Sequence, residues 1–358
     1  MNRLARRISR AIDTGGPLSI AAFMAMALHD REDGFYASRE AIGARGAFVT
    51  APEISQMFGE LLGLWCVQAW RDQGAPRRAY LVELGPGRAT LIQDALRAAR
   101  LAPDFLGSIE VVLVEAGAAQ QALQRERMRD APVAIRWIEQ WSAIASDRPI
   151  FVLANEFLDA LPVLQFVMTE RGWCERVITA NGTRKLAFAL APDPTMLEIP
   201  NGRGAAEPGA VYEVSPASLA LIDEVSGGIG RRGGAALFID YGYCEGGFGE
   251  TLQAVRQHKP ADLLDAPGEA DLSAHVDFAA LARAAKSAGT EAHGPLSQGD
   301  FLRALGIEER AAELAARNPE HGTAIASAID RLTGEAAMGK LFKAIAIVPR
   351  GAPAPPGF

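Results

Sequence analysis

The sequence, 358 residues long, predicts an α/β fold with a mostly parallel central sheet. Between residues 79 and 154, short apolar segments alternate with segments of helical periodicity, which is typical of βαβ units. The strand-like segments are apolar throughout, as expected when helices cover a sheet on both faces. Hydrophobic residues make up 49% of the chain, which is enough for a substantial buried core.

The strands and helices of this core are expected at 79–162 and 211–350. The expected strands are 79–84, 109–115, 133–138, 150–154, 211–214, 235–239 and 341–348. The expected helices are 90–100, which has helical periodicity, 118–129, 219–225 and 278–287, the last of them capped by Asp277. Residues 242–275 have little periodicity, and long segments of this kind usually form functional loops or lids.

Residues 1–78 are predicted to form an N-terminal helical cap. Apolar residues from Ile54 to Trp70 recur with helical spacing, and Thr50 to Glu53 has the spacing of a capping box with a proline in the first turn. The first twelve residues form a basic amphipathic segment. Such a segment is compatible with a surface helix and with a mitochondrial presequence, and both interpretations stay open.

An antiparallel β insertion is expected at residues 163–210. Its strands are predicted at 163–168, 173–179 and 186–191, with turns at Arg171-Gly172 and Asn181-Gly182. The Pro- and Gly-rich segment 351–358 is expected to be a flexible tail.

The composition excludes several classes of protein. A formal net charge of −7 argues against a surface that coats nucleic acid, and the longest apolar segment, 20–28, is about half of what a membrane-spanning helix needs. The three cysteines are far apart and include no CxxC, so neither a disulfide framework nor a metal site is expected. This cysteine usage fits a reducing compartment. The sequence leaves the oligomeric state open.

The first motif that carries chemistry is Glu83–Leu91, where a strand ends and a helix begins. Its glycines allow a tight turn and close approach of a ligand to the backbone. Glu115 ends the next strand, where a carboxylate can accept hydrogen bonds from both ribose hydroxyls. Glu83 would repel a pyrophosphate, but it suits S-adenosylmethionine, which carries a sulfonium and an ammonium. The alternative is a tight turn with two solvated acids.

The second motif is Asn155–Pro162, which follows an apolar strand at the sheet edge where open α/β sheets bind ligands. Asn155 can offer a carbonyl oxygen to a nitrogen nucleophile, and Glu156 and Asp159 can bind a cation. A guanidinium group fits, because its planar set of donors matches carboxylates two at a time. The alternative is that Asn155 and Glu156 cap the next helix.

Five separated segments give the chain a resemblance to the MidA family. They are Thr50–Gln56, Glu83–Leu91, Asn155–Pro162, Thr251–Val255 and His275–Phe278. The resemblance covers residues 20–348 and implies a seven-strand, Rossmann-like class I methyltransferase fold with a helical cap and a β insertion. Mitochondrial members of the family are complex I assembly factors that act as protein arginine methyltransferases. The resemblance therefore implies S-adenosyl-L-methionine as cofactor and an arginine of a respiratory NADH dehydrogenase subunit as acceptor.

Carried onto this sequence, the resemblance also implies functional residues. The cofactor motif consists of Glu83, Gly85, Pro86, Gly87 and Thr90, with Glu115 on the ribose. Asn155, Glu156 and Asp159 fall on the acceptor-side motif, where they would be the catalytic residues. Ala89 departs from the family pattern, which usually has a glycine there, and modest crowding between helix and strand is expected.

The expected reaction is in-line attack of a substrate nitrogen on the sulfonium methyl, accelerated by alignment and desolvation. Two alternatives stay open: a nicotinamide-dependent oxidoreductase, which Glu83 disfavours, and a non-catalytic assembly chaperone. The expected partner is a protein substrate, with no nucleic acid and no membrane insertion. The expected location is the cytoplasm of a bacterium, or the mitochondrial matrix if the source is a eukaryote.

Overall fold

The computed structural model describes residues 1–37, 50–144, 147–180, 185–196, 199 and 206–358. Its strands are β1 Leu18–Ser19, β2 Ala79–Leu84, β3 Ile109–Val114, β4 Ile135–Ile138, β5 Ile150–Asn155, β6 Leu164–Thr169, β7 Gly172–Ala180, β8 Leu186–Pro194, β9 Val211–Val214, β10 Gly234–Tyr243, β11 Gln253–Arg256, β12 Lys259–Ala261, β13 Asp271–Ser273, β14 Val276–Asp277, β15 Thr290–Ser297 and β16 Phe342–Pro349. Its α-helices are α1 Arg3–Gly15, α2 Ile20–His29, α3 Ala51–Ile54, α4 Gln56–Asp72, α5 Thr90–Ala98, α6 Pro103–Ser108, α7 Ala118–Arg127, α8 Pro216–Arg232, α9 Phe278–Ser287, α10 Gln298–Ala304, α11 Ile307–Arg317, α12 Gly322–Thr333 and α13 Met338–Leu341.

The chain forms two compact units. Unit 1 consists of Met1–Phe48, Asp159–Ala220 and Glu245–Asp277, and unit 2 consists of Val49–Leu158, Leu221–Cys244 and Phe278–Phe358. The segment expected as a helical cap is thus divided, because its first part belongs to unit 1 and α4 belongs to unit 2. The segment expected as a β insertion lies in unit 1.

The sheet of unit 2 runs β4-β3-β2-β5-β10-β16-β15. Numbered along unit 2, this order is 3-2-1-4-5-7-6. Neighbouring strands from β4 to β10 are parallel, whereas β16 is antiparallel to both β10 and β15. The prediction of a mostly parallel sheet is therefore confirmed.

The core of unit 2 covers both faces of this sheet. Leu81 of β2 packs in a cluster with Trp65 of α4 and Leu91 of α5, and Val82, on the opposite face, is 0% exposed. Helices α4 and α5 approach closely because α4 has glycines at the contact. A Cβ added to Gly63 would lie 2.5 Å from the Ala95 carbonyl oxygen.

The predicted capping box before α4 is wrong. Thr50 precedes α3 but makes no side-chain capping bond, and the Ser55 hydroxyl accepts the Met57 N–H where α4 begins. The Glu53 carboxylate instead accepts a hydrogen bond from the Thr90 hydroxyl. The Glu53 side chain, which a capping box would have used locally, is therefore bonded to Thr90, a residue distant in the sequence.

Unit 1 contains the predicted antiparallel strands, with β7 paired to β6, β8 and β1. The Asn181-Gly182 turn lies outside the described residues. Within residues 242–275 the structure places a three-stranded sheet in the order β12-β11-β13, which the sequence did not predict. Strands of three or four residues are too short to show periodicity. An apolar cluster that includes Leu4, Phe23 and Leu272 forms the core of this unit.

The tail, residues 351–358, which is expected to be flexible, packs against other residues of unit 2. The Trp65 indole N–H donates to the Pro356 carbonyl at 3.1 Å, and the rings of Phe358 and Phe301 lie 5.1 Å apart. Phe301 belongs to α10, one of the helices of residues 298–333 that the sequence analysis did not assign.

Candidate functional site

The candidate site in unit 2 lies where the order of the parallel strands reverses, between β2 and β5. Glu83 and Leu84 of β2 lie opposite Leu153 and Ala154 of β5, so both strands end at the same edge. Such a reversal leaves a crevice beyond the carboxyl ends of the strands, which is where open α/β sheets bind ligands.

The turn after β2 uses left-handed backbone at three positions. Gly85, Gly87 and Ala89 have φ values of +61°, +52° and +60°. A Cβ on Gly85 would lie 2.6 Å from the Phe157 ring, so this glycine is required by conformation and by space. Pro86 stabilises the turn, because its carbonyl accepts the Ala89 N–H at 2.6 Å.

Ala89, where modest crowding between helix and strand is expected, also has a backbone conformation that disfavours a side chain. It is buried, and it occupies the left-handed region immediately before α5. A residue with a Cβ is disfavoured there by roughly 1–2 kcal/mol. The effect of the departure from glycine therefore lies in the backbone conformation.

Glu83 is the most unusual group of this edge. Its side chain is 3% exposed, and its Oε2 atom has no hydrogen-bond partner. Burial raises the pKa of the Glu83 carboxyl to about 8, although a hydrogen bond from the Ile92 N–H acts in the opposite direction. A buried acid without a charged partner is costly unless a cation arrives to interact with it.

Glu115 follows β3 and, unlike Glu83, has partners for both of its oxygens. Its Oε1 accepts the Gly117 N–H at 2.8 Å, and its Oε2 accepts from the Gln124 amide at 3.2 Å. Burial raises the pKa of Glu115, while these two hydrogen bonds lower it. Glu115 is half-buried, and each of its carboxylate oxygens can accept more than one hydrogen bond.

Gln124, which the sequence analysis missed, connects this acid to the glycine turn. It is 0% exposed, and its amide also donates to the Gly87 carbonyl at 2.8 Å. Its oxygen accepts the Trp137 indole N–H at 3.0 Å, which fixes the direction of the amide because the indole is only a donor. The Arg125 guanidinium lies 4.2 Å from the centre of the Trp137 ring. No local pattern marks Gln124, which lies on the buried face of α7.

Thr90 begins α5 and donates its hydroxyl hydrogen to Glu53. Arg88 lies 3.5 Å from the same carboxylate. Thr90 thus connects the predicted cofactor turn to α3.

At the end of β5, Glu156 has a φ of +52°, which is uncommon for a residue with a side chain. Its Oε1 accepts the Ala51 N–H at 2.8 Å and the Asn155 amide at 3.1 Å. The Asn155 Oδ1 atom is buried and has no hydrogen-bond partner. Residues 156–163 contain no helix, so the alternative in which Asn155 and Glu156 cap a helix is wrong.

Asp240, which is 1% exposed, holds this turn in place and was also missed by the sequence analysis. Its Oδ2 accepts the N–H groups of Phe157 and Leu158 at 3.0 and 2.8 Å, and its Oδ1 accepts the Tyr241 N–H at 2.9 Å. A usable signal was its position near the end of a buried strand, next to β5 in the sheet.

Asp159 belongs to unit 1, whereas Asn155 and Glu156 belong to unit 2. Its carbonyl accepts the Ala274 N–H at 3.0 Å, directly after β13. Burial, and secondarily the charge of Asp159, raise the pKa of Asp271 in β13 to about 7. Asp271 also accepts a hydrogen bond from the Tyr36 hydroxyl at 2.9 Å.

Among the described residues, no group of three or more histidine, cysteine or acidic side chains is arranged to hold a metal ion. Within the same residues, every helix is too short or too polar to traverse a lipid bilayer.

Comparisons with known proteins agree with this geometry. Residues 61–296 match a family model described as a putative S-adenosyl-L-methionine-dependent methyltransferase. The chain is 33% identical over 380 residues to the protein arginine methyltransferase NDUFAF7, mitochondrial, of Xenopus tropicalis, covering 98% of this chain and 86% of that protein. It is 35% identical over 369 residues to the human protein of the same name, covering 96% and 83%.

One similar solved structure is a likely methyl transferase of the COG1565 superfamily from Burkholderia thailandensis, bound to S-adenosyl-homocysteine. The TM-score is 0.84 at 28% identity, covering 99% of this chain and 93% of that chain. The expected methyltransferase fold and S-adenosyl-L-methionine as cofactor are thereby confirmed.

Proposed function

We propose that this chain, which belongs to the family of S-adenosyl-L-methionine-dependent methyltransferases, methylates an arginine side chain of a protein. The names of its relatives from Xenopus tropicalis and human support an arginine acceptor. The family match and the relatives favour this function over a nicotinamide-dependent oxidoreductase.

One observation carries the proposal. The Glu83 carboxyl is buried at the sheet edge with an unpartnered oxygen, and no hydrogen bond or ion pair to Oε2 is found among the described residues. A pyrophosphate would be repelled by an ionised Glu83, whereas a cationic cofactor would stabilise that ionised form. The residues present therefore fit S-adenosyl-L-methionine.

Each residue of the cofactor motif has a defined task in this proposal. Glu83 would interact with the positive charge of the cofactor, and the turn of Gly85, Pro86 and Gly87 would let the cofactor approach the backbone. Thr90 anchors the start of α5 through Glu53. Glu115 would accept hydrogen bonds from the ribose hydroxyls. The bound cofactor supplies an activated methyl group.

The acceptor side consists of Asn155, Glu156 and Asp159. The unpartnered Asn155 Oδ1 would accept a hydrogen bond from the substrate nitrogen and orient it. Guanidinium is not freely deprotonated, so the carboxylates of Glu156 and Asp159 would localise its charge and accept the proton that it releases. Positioning of this kind supplies most of the acceleration that a transfer without a covalent enzyme intermediate needs.

The proposed partner is a subunit of respiratory NADH dehydrogenase. The proposed location is the bacterial cytoplasm, or the mitochondrial matrix in a eukaryote. The three cysteines form no disulfide, which supports a reducing compartment, and the curated relatives are named as mitochondrial proteins.

Calorimetry with S-adenosylhomocysteine tests the cofactor site. The wild type is expected to bind, and Glu115→Ala is expected to weaken binding by about 100-fold, because hydrogen bonds to a charged acceptor are lost at about 1.5–3 kcal/mol each. Glu126→Ala on the exposed face of α7 is the matched control and should bind like the wild type. Absence of heat with the wild type would contradict the proposal.

Mass spectrometry of NADH dehydrogenase subunits tests the acceptor. Cells that lack this chain should lose methylation at a specific arginine. Unchanged arginine methylation, together with a defect in assembly, would instead support a non-catalytic chaperone.

A further inference from the structure

Unit 1 contains a cluster of oxygen atoms that the proposed cofactor site does not use. Asp271 and Ser273 are two residues apart on β13, so their side chains lie on the same face of that strand. Leu272, between them, points to the opposite face and joins the apolar core of unit 1. Asp159 acts electrostatically on Asp271, and its carbonyl accepts the N–H of the residue that follows β13.

The depth of these groups differs. Asp271 is 9% exposed and Ser273 is 2% exposed, whereas Asp159 and Tyr36 are only half-buried. The cluster therefore has an accessible side and a buried end. The ring of Tyr36 is stacked on His29, 5.6 Å away, and its hydroxyl donates to Asp271.

The Ser273 hydroxyl is the independent sign of a missing ligand. Its Oγ atom is buried and has no hydrogen-bond partner among the described residues. A buried hydroxyl without a partner is costly, and a donor from a ligand would satisfy it.

The chemistry of the ligand follows from the groups present. Asp159, Asp271 and Ser273 can all accept hydrogen bonds, while the donor of Tyr36 is already used by Asp271. The described residues hold no group of three or more side chains suited to a metal ion, so an organic cation fits better. Guanidinium carries five N–H donors in one plane and no acceptor, which matches two carboxylates and a hydroxyl.

We propose that Asp159 and Asp271 of unit 1 bind the guanidinium group of the arginine to be methylated, with the Ser273 hydroxyl as a third acceptor. This inference rests on the proposed function, because it takes an arginine acceptor as its premise. It adds Asp271 and Ser273 to the substrate site, and it makes Tyr36 a positioning residue that orients Asp271.

The test uses the full chain with S-adenosylhomocysteine bound, and the peptide Gly-Arg-Gly as the probe, titrated by calorimetry. Ser273→Ala is the most informative variant, because Oγ has no hydrogen-bond partner within the described part of the chain that its removal would disturb. Its melting temperature should be unchanged or higher, yet it should bind the peptide three- to tenfold more weakly. Asp271→Asn should lower the affinity for the peptide at least tenfold. Asp265→Asn, an exposed acid of the same unit, is the matched control.

The pH profile separates substrate binding from a structural role. Only ionised Asp271 attracts the cation. Burial, and secondarily the charge of Asp159, raise the pKa of Asp271 to about 7, while the hydrogen bonds from the Tyr36 hydroxyl and the Leu272 N–H act in the opposite direction. Peptide affinity of the wild type should therefore rise about tenfold from pH 6 to pH 8, and Asp271→Asn should remove this rise.

Three outcomes overturn the inference: the wild type does not bind the peptide, Gly-Lys-Gly binds equally well, or both variants bind Gly-Arg-Gly like the wild type. In each of them S-adenosylhomocysteine binding stays intact. Loss of that binding in the wild type would instead contradict the proposed function.

Discussion

The turns that follow β2 and β5 both leave the sheet through left-handed backbone, but they are stabilised differently. After β2 the left-handed positions include Gly85 and Gly87, for which this conformation has little cost. After β5 it is Glu156 that adopts a φ of +52°, at a cost of roughly 1–2 kcal/mol. Asp240 offsets that cost by accepting the N–H groups of Phe157 and Leu158.

The difference fits the two tasks proposed for these turns. A turn that contains glycines allows a ligand to approach the backbone, and Phe157 leaves no space for a Cβ on Gly85. A turn held by a buried carboxylate keeps Asn155 and Glu156 in fixed directions, as orientation of a nucleophile requires. Strain is thus found at Glu156 on the acceptor side, where direction matters more than close approach, and in the first turn at Ala89, its one left-handed position that is not glycine.

A large effect is expected when the turn after β5 loses the carboxylate of Asp240 that holds it. Asp240→Asn removes the charge that three N–H groups share, so the free energy of unfolding should fall by about 3 kcal/mol. Because the turn after β2 makes none of these bonds, binding of S-adenosylhomocysteine should change less than threefold.

Chemical denaturation and calorimetry measure these two effects. Asp223→Asn, on the exposed part of α8, is the control for stability. Strong loss of cofactor affinity in a folded Asp240→Asn variant would show that the two turns depend on each other.

The next effect concerns Glu83, whose pKa in the folded chain is about 8, above that of the unfolded chain. Between those two values the folded chain keeps a proton that the unfolded chain has released, so stability falls as pH rises. The wild type should lose on the order of 2–4 kcal/mol of unfolding free energy between pH 5 and pH 9 through this group.

Glu83→Gln should remove that loss and be more stable than the wild type at pH 8, yet bind S-adenosylhomocysteine about tenfold more weakly. Urea unfolding across this pH range, with Glu126→Gln as an exposed control, measures the first effect. An unchanged pH profile would mean that Glu83 is not the buried titrating group.

The sequence predicted the β2 side better than the β5 side for a physical reason. The turn at Gly85 is encoded by its own residues, so a short segment is sufficient to recognise it. The turn that contains Glu156 is held by Asp240, which accepts the N–H groups of Phe157 and Leu158 and lies 83 and 82 residues further along the chain than these two. Tertiary partners of this kind leave no periodic signal, and the same holds for Gln124.

The parallel strands of unit 2 were predicted because they are short apolar segments, and because clear helices separate β2 from β3 and β3 from β4. β13 is three residues long, so the strand that puts Asp271 and Ser273 on one face was not predictable. Asp159 was predicted as a cation-binding residue, but its relation to Asp271 depends on contacts between distant segments of unit 1. The prediction of all nine site residues stays untested.

The smallest effect is expected at Ala89, the one left-handed position of the first turn that is not glycine. Ala89→Gly relieves about 1 kcal/mol of backbone strain, but it removes a buried methyl worth about 0.8 kcal/mol and makes the unfolded chain more flexible. The unfolding free energy should therefore change by less than about 1 kcal/mol, and S-adenosylhomocysteine affinity by less than twofold. Ala89→Val introduces a branched side chain that tolerates this conformation poorly. Chemical denaturation should show a clearly lower free energy of unfolding for this variant. If Ala89→Gly instead lowers the affinity for S-adenosylhomocysteine tenfold, the alanine methyl fixes the shape of the turn after β2. That turn would then be held by a side chain, as the turn after β5 is.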